Sequence, residues 1–244
     1  MAAGPGRIGG DVRLIAAALA AGRTRWLTEL SGPVADAYPA AVAQLVPVLE
    51  RSLGSGVVAN RVVGRRLEPV GPARRRYLRL VRTGLAPGSV AIVADVRHCY
   101  RCIGPLPVAH ALASVGGGAA PIERVLDVLG EVRGAGVEGL PIGPAASAVV
   151  ANAVLRPADL AVAATGARLI RWVDDVVIVG ATGRQAWRAL DAWTAALGVV
   201  GLTMHEGKLR VFTDHQHALA ALTGSATQAS CSGRATGRGM LRPP

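Results

Sequence analysis

The chain has 244 residues, 51% of them apolar, which excludes a disordered protein and suffices for one domain or one domain plus a small lobe. Its 27 basic side chains outnumber the 16 acidic ones for a net charge of +11, so a polyanionic partner such as nucleic acid is expected. No apolar run reaches the roughly 18 to 20 residues that span a bilayer, and a soluble, cytoplasmic chain without a membrane partner is the expectation.

Residues 1–10 are Gly-rich, lack periodicity and are expected to be loose. Residues 11–22 and 40–53 carry apolar side chains at helical intervals, first Leu14, Ala17 and Ala18, then Val42, Leu45, Val46 and Leu49. Both segments are predicted helices. The 14–21 stretch imitates a signal-peptide core, but Asp11 and Arg13 beside it favour an amphipathic first helix.

From residue 51 to 82 the charge changes character. Nine arginines face one acid, Glu68, so these 32 residues hold +8 of the total, and the other 212 hold +3. Pro72 opens a helix on which Tyr77, Leu80 and Val81 face inward while the arginines face out. Residues 11–88 are thus expected to form a helical, arginine-rich region, followed by a second region over 89–224.

In that second region residues 90–95 alternate as a strand, 106–114 and 122–132 are predicted helices, and 145–164 is a long helix bent or interrupted near Pro157. Residues 169–173 and 176–179 are predicted strands around a turn at Asp174 and Asp175, then 185–197 is helical, and Leu202 with 208–212 forms a final strand or hairpin. The tail, 225–244, has no apolar periodicity and is expected to be disordered. Strand, helices, hairpin, helix and strand in this order predict an α+β fold, a ferredoxin-like split βαβ sheet with helices on one face.

Three cysteines are too few for a disulfide framework, and Cys99 and Cys102, though spaced CxxC, have no second pair to complete a zinc site. They are expected to be reduced thiols.

Two adjacent carboxylates interrupt the apolar run RWVDDVVIVG, where an unpaired buried charge costs several kcal/mol. Asp174 and Asp175 are either turn residues exposed at a hairpin tip or hard oxygen ligands for a divalent cation. Asp95 ends another apolar strand, and pairing of that strand with the hairpin brings the carboxylates to one edge. Such a set can hold two Mg²⁺ ions about 4 Å apart for in-line phosphoryl transfer.

Four segments in order resemble the palm motifs of bacterial reverse transcriptases: DVRHCYRCI (95–103), GLPIGPAAS (139–147), RWVDDVVIVG (171–180) and GLTMHEGKLRVF (201–212). The spacing fits as well, with 44 residues from Asp95 to Gly139 and 35 from Gly139 to Asp174. The resemblance implies a polymerase palm over residues 89–224, preceded by a short fingers region over 11–88. It implies RNA-directed DNA polymerase activity with two Mg²⁺ ions, or Mn²⁺, on Asp95, Asp174 and Asp175. Tyr100 falls where reverse transcriptases place an aromatic that blocks a ribose 2′-hydroxyl, which implies dNTP substrates. Arg97 would pair with the incoming triphosphate, and Gly143 and Ser147 would shape the nucleotide pocket.

Ile142 departs from the glutamine usual in retrons and group II intron enzymes, and the LPIGP turn is closer in style to abortive-infection and defence-type members. Lys208 is the only lysine among the basic residues. An amine can release a proton where a guanidinium cannot, and the resemblance implies that Lys208 protonates the leaving pyrophosphate. Arg61, Arg65 and Arg66 are the expected contacts to template or nucleotide.

About 30 residues follow the fourth motif. No helical thumb is expected, and a thumb-supplying partner or a homo-oligomer would then grip an RNA template and a DNA or protein primer. The alternatives are a template-independent or RNA polymerase of the defence type, and a basic nucleic-acid-binding palm without turnover.

Overall fold

The computed structural model describes residues 7–9, 11–18 and 24–224, and the chain enters the fold through strands where the periodicity predicts a helix. Strands β1 (Arg7–Gly9), β2 (Val12–Ala18) and β3 (Thr24–Leu30) form an antiparallel sheet in that order. Loose structure over 1–10 is therefore corrected at residues 7–9, and the predicted 11–22 helix is replaced by β2. The spacing of Leu14, Ala17 and Ala18 suits a helix, but β2 pairs with β3 along its whole length, from Val12 opposite Leu30 to Ala18 opposite Thr24. Inter-strand pairing outweighs the helix propensity of alanine. The region before the main sheet is consequently mixed rather than helical.

Helix α1 (Gly32–Ser52) starts eight residues before the predicted one and runs through Pro39 and Pro47. An interior proline costs a helix about 3 kcal/mol. Val34, Tyr38, Ala41, Val42, Leu45 and Leu49 are buried on one face of α1, and at about 1.5–3 kcal/mol for a large apolar side chain this stripe outweighs the proline. A two-stranded hairpin, β4 (Val62–Val63) and β5 (Arg66–Leu67), leads to α2 (Val70–Gly84). Tyr77 and Val81 of α2 are buried as predicted, whereas Leu80 is half-buried and Ala73 completes the inner face.

Strand β6 (Val90–Asp95) is buried at every position. A single-turn helix α3 (Cys99–Cys102) and helices α4 (Pro105–Ser114), α5 (Ala119–Gly134) and α6 (Ala145–Ala164) follow. Pro157 does not interrupt α6, whose central residues are buried on nearly all sides. Among the described residues α6 is also the one helix long and apolar enough to cross a membrane, yet 72% of that stretch is buried inside the fold. The hairpin β7 (Arg168–Trp172) and β8 (Asp175–Gly180), helix α7 (Gly183–Val199), a 3₁₀ turn at Glu206–Lys208 and β9 (Arg210–Phe212) complete the main sheet.

That sheet has the order β7-β8-β6-β9 with every neighbour antiparallel. Each helical crossover returns to a strand that is not the neighbour of the one it left, or to the far edge, which is the split βαβ pattern. The expectation of helices on one face is corrected. Val90, Ile92, Ala94, Val176 and Ile178 share a core with α6 and α7. Ala91, Val93, Val177 and Val179 face a second core closed by α2 and by α8 (His215–Thr223), a helix the sequence reading omits. Apolar side chains alternate to both sides of β6 and β8, so both faces need a cover. Residues 225–244, predicted to be disordered, lie outside the described residues.

Candidate metal centre

The turn between β7 and β8 sits one residue earlier than predicted. Trp172 pairs with Asp175 across a two-residue loop of Val173 and Asp174, so Asp175 belongs to a strand. Two-residue hairpin loops favour positive φ, and Val173 adopts φ +58° although its β-branched side chain disfavours it. In the neighbouring ladder Asp175 stands directly opposite Asp95. The Val96 N–H donates to the Asp174 carbonyl at 3.2 Å, which ties the loop to the end of β6.

Asp95, Asp174 and Asp175 each bring a carboxylate oxygen within 4.8 Å of the others. Asp95 is buried, Asp174 half-buried and Asp175 exposed. Although Asp175 opens to solvent, partial desolvation of its carboxyl among the strand ends and then the charges of Asp174 and Asp95 push it up to about 6. Asp174 is raised too, first by burial, against bonding to its own backbone N–H. Three carboxylates so close repel one another, and hard oxygen ligands without nitrogen or sulfur suit a divalent cation such as Mg²⁺ or Mn²⁺. The donor set thus fits the predicted metal site.

Lys208 enters the same cluster from the 3₁₀ turn before β9, with its Nζ 2.6 Å from Asp95 Oδ2. Partial burial opposes its charged form, but the hydrogen bond to Asp95 and the charges of all three aspartates carry its pKa above the ordinary lysine value. The turn is fixed by main-chain bonds, since the His205 N–H donates to the Asp95 carbonyl at 2.8 Å and the Arg97 N–H to the Thr203 carbonyl at 2.8 Å. Sequence distance between residues 95 and 208 is thereby closed by strand pairing of β6 with β9.

Tyr100 and the 139–144 turn are brought together as well. The Leu140 N–H donates to the Tyr100 carbonyl at 2.8 Å, and Gly139, at φ +70°, lies against the Tyr100 and Arg101 carbonyls so closely that a Cβ would collide with both. Gly143, at φ +130°, rests against the Thr28 carbonyl of β3, and the Thr28 N–H bonds the Ile142 carbonyl at 2.6 Å. The N-terminal sheet therefore braces this turn, which no sequence signal announces. It also introduces Arg25, whose charge opposes the rise in pKa of both Asp174 and Tyr100.

Other expected contacts occupy varied positions. Arg97 is exposed at the end of β6. Ser147 is fully buried and shares a 3.2 Å hydrogen bond with Tyr38, which engages its hydroxyl in the α1–α6 contact. Arg61 is held by Glu50 at 2.6 Å and by the Gly54 and Val57 carbonyls. Arg65 and Arg66 are exposed on the β4–β5 hairpin and line a cleft with Val42 and Val46 of α1 and Ala145 and Val149 of α6. Cys99 is buried and Cys102 exposed. Burial, with Asp174 adding, pushes the Cys99 thiol up to about 12, which makes it a poor nucleophile.

Arg171 is the buried residue that sequence reasoning passed over. It is 1% exposed and makes a two-pronged pair with Asp159, Nε to Oδ1 and Nη2 to Oδ2, both at 2.8 Å. An arginine inside a strand flanked by buried apolar residues was the available signal, because such a charge survives only with partners.

No described protein family matches this sequence, and no curated protein matches it. Among solved structures, apo telomerase from Candida tropicalis, truncated from its C-terminal domain, is similar with a TM-score of 0.55 at 12% identity. The match covers 86% of this chain and 51% of that one, so the chain spans about half the length of the telomerase structure. At this identity the likeness concerns the fold alone. The chain is similar in fold to this telomerase structure, and three carboxylates placed to hold a metal ion sit at one end of its main sheet.

Proposed function

We propose that this chain is an RNA-directed DNA polymerase that extends a primer 3′-hydroxyl with deoxynucleotides. The observation that carries the reading is the convergence of Asp95, Asp174 and Asp175 within 4.8 Å at adjoining strand ends, in a fold similar to telomerase. The order of the four palm-like motifs and the LPIGP turn support a defence-type reverse transcriptase on this reading.

Bound Mg²⁺ or Mn²⁺ would supply charge neutralisation and Lewis-acid activation for in-line transfer. Asp95, Asp174 and Asp175 would hold it. Lys208 holds a proton on Nζ beside Asp95 and is the group to donate it to the departing pyrophosphate. Tyr100, anchored through its carbonyl to Leu140, would lie under the sugar and exclude a 2′-hydroxyl. Arg97, just past the end of β6, would meet the triphosphate, and the glycine at 143 lets β3 pack closely against the turn that would border the base. Exposed Arg65 and Arg66 offer charges to the template strand, whose binding would weaken steeply with salt.

The test is primer extension on poly(rA)/oligo(dT) with labelled dTTP and Mg²⁺, beside Asp174→Asn and a control without template. Template-dependent product that the substitution abolishes is the expected result. Product without template would replace this reading with terminal addition. Tight, salt-sensitive nucleic-acid binding without product would replace it with a binding module.

A further inference from the structure

We infer that Arg171 is the positioning residue of the cation site: its guanidinium, clamped by Asp159 and Asn152, holds the Val173 carbonyl and so the left-handed turn that presents Asp174. The inference rests on the reading of the three aspartates as a cation site.

The geometry uses the guanidinium fork fully. Nε and Nη2 take the two oxygens of Asp159, both at 2.8 Å, and Nη1 donates to Asn152 Oδ1 at 2.9 Å and to the Val173 carbonyl at 2.8 Å. Burial raises the Asp159 carboxyl and the guanidinium opposes it. Two parallel charge-assisted bonds keep the pair ionic. Val173 is the residue at φ +58°, and the next residue is Asp174. A β-branched side chain holds that conformation only when its surroundings over-determine it. The Arg171 bond to its carbonyl is the side-chain constraint on this loop, beside the Trp172–Asp175 pair that closes it and the Val96 N–H bond to the Asp174 carbonyl.

The clamp is itself immobilised. The Arg171 N–H donates to the Gly56 carbonyl at 2.8 Å and its carbonyl accepts from the Val58 N–H at 2.9 Å. Asn152 Nδ2 donates to the Ala59 and Asn60 carbonyls at 3.2 Å. Residues 56–60 thus brace Arg171 from one side and Asn152 from the other. A ligand carboxylate oriented by bonds one shell out loses metal affinity when those bonds are lost.

The experiment measures Mn²⁺ binding to the full chain by electron paramagnetic resonance, together with kcat and KM in primer extension, for wild type and Arg171→Lys. Lysine keeps a positive charge beside Asp159, but a single ammonium does not span Asp159, Asn152 and the Val173 carbonyl together. A folded Arg171→Lys is expected to bind Mn²⁺ about 10- to 100-fold more weakly and to lose kcat in proportion, with KM for primer–template unchanged. Wild-type Mn²⁺ binding and kcat in that variant would overturn the proposal. If Arg171→Lys does not fold, the double variant Arg171→Met/Asp159→Leu replaces the buried pair with apolar groups. It is expected to fold and to show the same loss of Mn²⁺ affinity, and retained affinity would overturn the proposal. Mn²⁺ binding that Asp174→Asn abolishes, in a wild type that makes no DNA, would refute the polymerase reading and leave the role of Arg171 standing. A wild type with no Mn²⁺ site at the aspartates would overturn it.

Discussion

Asp95 and Asp175 face each other directly across the β6–β8 ladder, and Lys208 closes on Asp95 from the 3₁₀ turn before β9. Like charges directly opposite on a sheet are destabilising. The strand ends are therefore held in an arrangement that is unfavourable without a cation.

Asp175→Asn is accordingly expected to stabilise the metal-free protein at neutral pH. The Asp175 carboxyl is raised to about 6 in the fold, chiefly by partial desolvation, against about 4 in an unfolded chain. The folded state thus binds this proton more tightly, so metal-free stability falls as pH rises from about 4 to about 6. Because Asp175 is exposed, screening limits the gain in the variant to on the order of 1 kcal/mol, or about 2–4 °C in Tm. Thermal melts in EDTA at pH 7 check this, and Mg²⁺ is expected to stabilise wild type more than the variant.

Asp174→Asn is expected to abolish nucleotide incorporation while the far-ultraviolet circular dichroism stays that of wild type. Asp174 lies in a two-residue loop and its carbonyl bond to Val96 survives the substitution. Filter-binding of labelled DNA product, together with the spectrum, separates lost chemistry from lost fold.

Lys208→Arg retains the ion pair with Asp95 but has no proton to release at working pH. On the proposed role, kcat falls about 10²–10⁴-fold while KM for dTTP changes little. The side chain lies mostly in solvent, so the melting temperature is expected to hold. Steady-state kinetics across pH distinguish this from simple charge removal, since the alkaline limb of the profile should vanish in the variant.

Tyr100→Ala is expected to admit ribonucleotides. The substitution removes a half-buried ring next to the core at a stability cost of about 2–3 kcal/mol, while the Leu140 bond to the residue 100 carbonyl remains. The measured quantity is the ratio of kcat/KM for dTTP and UTP, and an unchanged ratio would remove Tyr100 from sugar selection.

Gly139→Ala is expected to disrupt the 139–144 turn. Its Cβ would collide with the Tyr100 and Arg101 carbonyls at a backbone φ of +70°, a conformation only glycine adopts cheaply. The variant should melt at lower temperature and incorporate dTTP with a raised KM, which differential scanning fluorimetry and kinetics together test.

The sequence alone determined the parts that depend on local pattern. Residues 90–95 read as a strand, 145–164 as a helix and 171–180 as a hairpin because their apolar periodicity agrees with the backbone they adopt, although the hairpin turn falls one residue earlier than its carboxylates suggest. The three aspartates were legible for the same reason, since charge inside an apolar strand is costly and demands an account. Tertiary structure decided the rest. The N-terminal strands won over an alanine-rich helical pattern because pairing partners were available, and α1 crossed Pro39 because its buried stripe was continuous. The position of Asp175 in β8, opposite Asp95, follows from ladder register, and the reach of Lys208 to Asp95 follows from β6 pairing with β9. Register and strand order are relations between distant segments, set by which side chains fill both cores at once, and no local window of sequence contains them.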